Sequence, residues 1–87
     1  MENSVYTFHS DPGHGWLEVP DADIIALNIW DKISKCSYIR GNTCYLEEDC
    51  DATKFFNAYV EKFGKEPAYN NSKHNNYCFI RRLHHFC

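Results

Sequence analysis

Asp11-Pro12-Gly13 is the stretch that leaves its surroundings the fewest options. Proline presets φ at the second position of a turn and glycine accepts backbone angles that side-chained residues avoid, so the chain must reverse here. On one side, residues 5–9 alternate, with Val5, Thr7 and His9 on one face and Tyr6 and Phe8 on the other. On the other side, Trp16, Leu17 and Val19 continue the same character over 15–19. The spacing predicts two short strands joined by a tight loop. A second reversal at Gly41-Asn42 separates two β-rich runs, 36–40 and 43–47, and predicts a hairpin with a two-residue turn.

Between and after these pairs the period changes. Pro20 can open a helix because a first-turn residue has no use for its missing N–H, and Asp21 and Asp23 favour the positive end of the helix dipole. Ile24, Ile25, Leu27, Ile29 and Trp30 then predict a short helix over 21–30 with a wide apolar stripe. The best helical pattern follows at Ala52, Phe55, Phe56, Tyr59 and Phe63. Asp49 or Asp51 is available to cap it, Lys62 and Lys65 flank its end, and Gly64 terminates it. Residues 66–69 and 77–83 read as a final strand pair around a polar, mobile loop over 70–76, with 77–83 central because both its faces are apolar. The fold class is α+β: a small antiparallel or mixed sheet of five to six short strands with two helices, in a single domain spanning residues 1–87.

Charge and composition narrow the function classes. A net charge of −3 lacks the electrostatic footprint that duplex nucleic acid requires. No run approaches the roughly 20 apolar residues of a membrane span, and the polar N-terminus does not look like a targeting segment, so a cytoplasmic protein is expected. The five cysteines, Cys36, Cys44, Cys50, Cys78 and Cys87, show no C-x-x-C pairing, which predicts reduced thiols, mostly small buried apolar groups. Six Tyr, six Phe and two Trp are more than so small a core needs, so some rings should be exposed or lie at an interface.

Three constellations could carry chemistry. His9, Asp11 and His14 form an H-x-D-x-x-H pattern, a donor set that a metal-dependent phosphoesterase could use, although Asp11 could equally bond its own backbone as an Asx-turn. The same loop, with Gly13 and Gly15 bracketing His14, could offer backbone N–H groups to a phosphate. Glu47, Glu48, Asp49 and Asp51 read as a solvated helix start, or as supplying a carboxylate that hydrogen-bonds a ribose hydroxyl or pairs with Arg81 or Arg82. Adjacent Arg81 and Arg82 would point to opposite strand faces, and with Arg40 they are the anion contacts the composition offers. No nucleophile elbow, P-loop or G-x-G-x-x-G is present, so a binding protein is favoured over an enzyme, with no cofactor and no metal.

Taken together, His-Ser-Asp-Pro-Gly-His-Gly-Trp-Leu-Glu-Val-Pro at 9–20, Ile33-Ser34 followed by Ser37-Tyr38, Tyr-Leu-Glu-Glu-Asp-Cys-Asp-Ala at 45–52 and the closing Ile80-Arg81-Arg82-Leu83 resemble a family of small proteins encoded by tailed phages and prophages. Its pattern often has an aromatic residue where Cys36 stands and glycine where Asn28 stands, which implies that the extra thiols are local drift and argues against a cysteine-based metal site. The family lends no activity residue by residue. The resemblance implies an accessory product acting in the host cytoplasm by binding: either sequestering a small, anionic, nucleotide-derived immune signal or docking on a host defence protein. The residues expected to hold such a ligand are His9, Ser10, Asp11, Gly13, His14, Gly15, Trp16, Tyr38, Arg40, Arg81 and Arg82. A homo-oligomer is expected as well, since a chain of this length has little room to enclose a nucleotide by itself.

Overall fold

A computed structural model describes residues 2–76 and 78–86. The first turn forms as the sequence predicts: β1 (Val5–Ser10) and β2 (Gly15–Pro20) pair antiparallel, with His9 opposite Trp16 and Ser10 opposite Gly15. So does the hairpin of β3 (Tyr38–Arg40) and β4 (Thr43–Glu47). Its Gly41 has φ +60° whereas Asn42 is not left-handed, the arrangement of a turn that needs glycine only at its first central position. β2 pairs with β4, which fuses the two hairpins, and β5 (Ala68–Lys73) adds parallel to β1 while β6 (His84–His85) adds to β3. The result is a six-stranded mixed sheet in the order β5-β1-β2-β4-β3-β6 with helices α1 (Asp21–Ala26) and α2 (Asp51–Phe63), an α+β fold.

Strand alternation sorts the residues onto two faces. Tyr6 and Phe8, Leu17 and Val19, Ile39, and Cys44 and Leu46 meet the helices. There they pack on Ile24 of α1 and on Ala52, Phe55 and Tyr59 of α2, one stripe at helical spacing, with the rings of Tyr6 and Phe55 edge-on at 5.2 Å. Each fully buried ring or branched chain here contributes about 1.5–3 kcal/mol of transfer free energy. The opposite face carries His9, Trp16, Glu18, Tyr38 and Tyr45, and residues 78–83 fold across it, burying Cys78 and Ile80 against Trp16 and Tyr45.

Four local expectations are revised. The helix expected over 21–30 ends at Ala26, because Asn28 turns left-handed at φ 59°. The amides of Asn28 and Ile29 then reach back to the carbonyls of Ile25 and Ile24, the paired bonds of a Schellman stop, and Trp30–Lys32 form a separate 3-10 turn. Neither Asp49 nor Asp51 caps α2, whose N-cap residue is Cys50 with no side-chain bond to the helix's free amides. Asp51 instead turns inward and is fully buried, accepting from the Ser34 amide at 3.0 Å, the Ser34 hydroxyl at 2.9 Å, the Ser37 hydroxyl and Lys54 Nζ at 3.0 Å. Burial pushes its carboxyl up, but the bonds from Ser37, Lys54 and Ser34 together outweigh it and hold the group below the usual range.

The polar stretch expected as a mobile loop over 70–76 supplies four residues to β5, which runs 68–73 and not 66–69, its polar side chains suiting an exposed sheet edge. Residues 77–83 are not a central strand. Tyr77 lies outside the described residues, and Phe79–Arg82 form a 3-10 turn whose apolar side chains cover the sheet instead of entering it. The central positions belong to β1, β2, β4 and β3. Of the four described cysteines, Cys44 and Cys78 are buried as expected, Cys50 is half-buried and Cys36 is exposed. Among the described residues no helix is long and apolar enough to cross a membrane.

Candidate functional site

Asp11 organises the functional face. Its side chain is fully covered and accepts five hydrogen bonds. Oδ1 takes the amides of Gly13 at 2.9 Å and His14 at 3.0 Å together with Arg81 Nη2 at 2.9 Å, and Oδ2 takes the Cys78 amide at 3.0 Å and Arg81 Nε at 2.6 Å. The Asx-turn expected of this residue is present, and the same carboxylate also clamps the 78–82 turn onto the loop. The Arg81 guanidinium, aided by the three backbone donors, holds Asp11 far below the usual carboxylate range against the opposing effect of burial. A Cβ at Gly13 would stand 2.8 Å from Arg81 Nη2 and push the guanidinium off Asp11, and a Cβ at Gly15 would collide with the Phe8 ring.

Around this clamp, His14, Trp16, Tyr38 and Arg81 line one open cleft of about 340 Å³, together with Cys36 and Glu47. The Arg81 guanidinium carbon sits 5.4 Å over the Trp16 ring, and the Trp16 and Tyr38 rings meet edge-on at 6.3 Å. His14 Nδ1 lies 3.4 Å from Glu47 Oε2, so the acidic run does reach the site, but through a histidine and not through an arginine. Trp16 is buried, and its indole N–H has no hydrogen-bond acceptor among the described residues. Buried donors are normally satisfied, so this one stands out as a group in want of a partner.

A second cluster lies beside the cleft on the same face. His9 Nε2 is 2.7 Å from Glu18 Oε1 and its Nδ1 is 3.3 Å from His74 Nε2. The Phe79 ring stands nearly perpendicular to those of His9 and Tyr45, and Arg40 lies 5.2 Å over Phe79 with Nη2 3.3 Å from the Tyr45 hydroxyl. Burial, and then the Glu18 carboxylate, push the Tyr45 phenol up against the opposing pull of Arg40.

The residues picked from the sequence therefore separate. His14, Trp16, Tyr38 and Arg81 share the cleft, His9 and Arg40 belong to the neighbouring cluster, and Ser10 contributes a carbonyl that accepts the His74 amide at 2.7 Å. The amides of Gly13 and His14 that were expected to meet a phosphate are given to Asp11. Arg82 is exposed and does not line the cleft; on a 3-10 turn, the opposite-face rule for strand neighbours no longer separates it from Arg81. The set His9, Asp11 and His14 does not converge: the His/Cys/Asp/Glu groups that do, among the described residues, are His9, His74 and Cys78. His74 escaped the sequence reading because it sits in a run whose polarity suggested only a loop, and Cys78 because it fell in the apolar run read as a central strand; their H-x-x-x-C spacing was the available signal. A larger groove of about 530 Å³, between the end of α1 and α2, contains Asn28, Lys32, Lys54 and Lys62 and none of the residues picked from the sequence. No protein-family model matches this chain, and neither a curated protein nor a solved structure matches it.

Proposed function

We propose that the protein is a non-enzymatic binder of a small, anionic, nucleotide-derived ligand, held in the cleft of His14, Trp16, Tyr38 and Arg81. The observation that carries this reading is the convergence of the exposed His14, the Tyr38 ring and an Arg81 held by Asp11 on one concave site. A planar base suits the half-buried Tyr38 ring, and base–aromatic stacking contributes about 1–3 kcal/mol per base. A phosphate suits the exposed His14 ring, beside an arginine whose orientation Asp11 fixes. In the phage setting that the sequence resemblance implies, such a protein acts in the host cytoplasm by sequestering an immune signal.

Docking on a host protein through the acidic 47–51 segment is less well supported, since Asp51 is buried on Ser34 and Ser37 and Glu47 faces His14. The direct test is a thermal-shift screen of cyclic and ADP-ribose-type nucleotides. A ligand at roughly 100 times its Kd adds about 2.7 kcal/mol of stability, and Tyr38→Ala should reduce that gain. The same ligand should slow alkylation of Cys36, an exposed thiol in the cleft. No stabilisation by any nucleotide, with Cys36 equally reactive throughout, would remove the proposal.

A further inference from the structure

His9, His74 and Cys78 reach one point from β1, from the residue after β5 and from the start of the 78–82 turn. Each contributes one ligand atom, and those atoms all lie within 4.8 Å of one another. We propose that these three side chains bind a zinc-class divalent cation, with Glu18 positioning His9, at a site separate from the nucleotide cleft.

The donor set fits. Imidazole and thiolate are both zinc ligands, and a site with three protein ligands leaves the fourth tetrahedral position for water or another small ligand. With metal–nitrogen bonds near 2.0–2.1 Å, two ligating ring nitrogens in tetrahedral geometry stand about 3.3 Å apart. His9 Nδ1 and His74 Nε2 are 3.3 Å apart. A carboxylate can only accept, so the 2.7 Å contact with Glu18 puts the His9 proton on Nε2 and leaves the Nδ1 lone pair directed toward His74. That is the carboxylate–histidine–metal relay seen at protein metal centres. The thiol proton of Cys78 leaves to solvent as its sulfur takes the cation, so binding releases one proton and needs no redox partner.

The backbone fixes these ligands without help from a metal. The His74 amide donates to the Ser10 carbonyl at 2.7 Å and the Cys78 amide donates to Asp11 Oδ2 at 3.0 Å. His9 and Cys78 are buried and His74 is half-buried, which leaves one side for an ion to enter, while Phe79 packs its ring edge-on against both histidines. Without a cation the same 3.3 Å contact is a hydrogen bond from His74 Nε2–H to His9 Nδ1, and the two readings differ in what Co²⁺ does.

The experiment is a titration of the full, untagged chain with Co²⁺ after demetallation under reducing conditions. Saturation at one equivalent is expected, with a thiolate-to-cobalt charge-transfer band in the near ultraviolet and the intense visible bands of a tetrahedral site, all bleached by Zn²⁺. Cys78→Ser should abolish the charge-transfer band, Glu18→Gln should weaken affinity about 10- to 100-fold, and Cys36→Ser should change neither. His74→Ala, at a half-buried position, keeps the test decisive should Cys78→Ser fail to fold, and it should lose the tetrahedral bands while retaining the wild-type circular dichroism. A titration without a charge-transfer band, or one whose band survives Cys78→Ser and disappears in Cys36→Ser, overturns the proposal.

Discussion

Asp11 takes the loop amides that the sequence pattern offered to a phosphate. Its carboxylate accepts three backbone amides and the Nε and Nη2 donors along one edge of the Arg81 guanidinium, so the loop tip and the 78–82 turn share one anchor. Asp11→Asn removes the charge and leaves buried donors short of acceptors, which should cost at least about 2 kcal/mol in urea denaturation. The sign with pH follows from a folded-state carboxyl held below its unfolded value of about 3.9. The contribution is complete above that value and is lost as pH falls below it, so the stability gap between wild type and Asp11→Asn should close from about pH 4 downward. A gap that stays constant to low pH would contradict the assignment. The Asx-turn at Asp11 was legible from Pro12 and Gly13; Arg81 was not, because the partner lies 70 residues away and nothing local marks it. Trp16 gives the complementary case. Trp16→Phe deletes a donor that has no acceptor among the described residues, so it should cost less stability than a hydrogen-bonded tryptophan would, near 1–2 kcal/mol for the lost ring volume, roughly that of an imperfect core swap, while reducing nucleotide affinity in calorimetry. Full affinity in Trp16→Phe would show that the Trp16 ring, over which Arg81 lies, does not shape the binding site.

At the scale of elements, what local chemistry decides was readable and what distant contacts decide was not. Alternation at Tyr6, Thr7, Phe8 and His9 placed each on its correct face, and Ala52, Phe55 and Tyr59 marked the buried side of α2. The length of α1 was misjudged because its apolar stripe continues through Ile29, while its stop depends on the backbone of Asn28. Asparagine tolerates that left-handed conformation, and glycine adopts it without a Cβ penalty. Asn28→Gly should therefore raise stability by up to about 1 kcal/mol, or about 4–8 °C in melting temperature for a domain of this size. A lower melting temperature would show that the Asn28 side chain contributes more than its backbone strain removes. The 78–83 segment was misread for the opposite reason. Its apolar residues do bury, as a central strand's would, but Asp11 fastens the segment across the sheet face, and that tie sets the 3-10 geometry.

At the scale of the molecule, the functional face is a lid of residues 78–83 closed over a sheet, with the aromatic cleft on one side and the His9 cluster on the other. The cleft is open and modest at about 340 Å³, near the lower limit for a site that buries most of a nucleotide. Its completion by a second copy is the reason to expect a homodimer, and the exposed edge at β5 and the exposed rings of Trp30, Tyr69 and Phe79 offer surface for one. Light scattering with in-line size exclusion at tens of micromolar should give twice the chain mass, and a strictly monomeric mass would count against it. The most direct test of the binding site uses the two tryptophans, because Trp16 lines the cleft while Trp30 packs on Phe86 in a separate pocket. In ¹H–¹⁵N spectra each indole gives its own cross-peak. On adding a nucleotide that stabilises the protein, the Trp16 indole signal should shift, because its ring lies at the cleft under Arg81, while the Trp30 signal stays in place. An unmoved Trp16 signal at saturation, or a shift confined to Trp30, would contradict the assignment of the site.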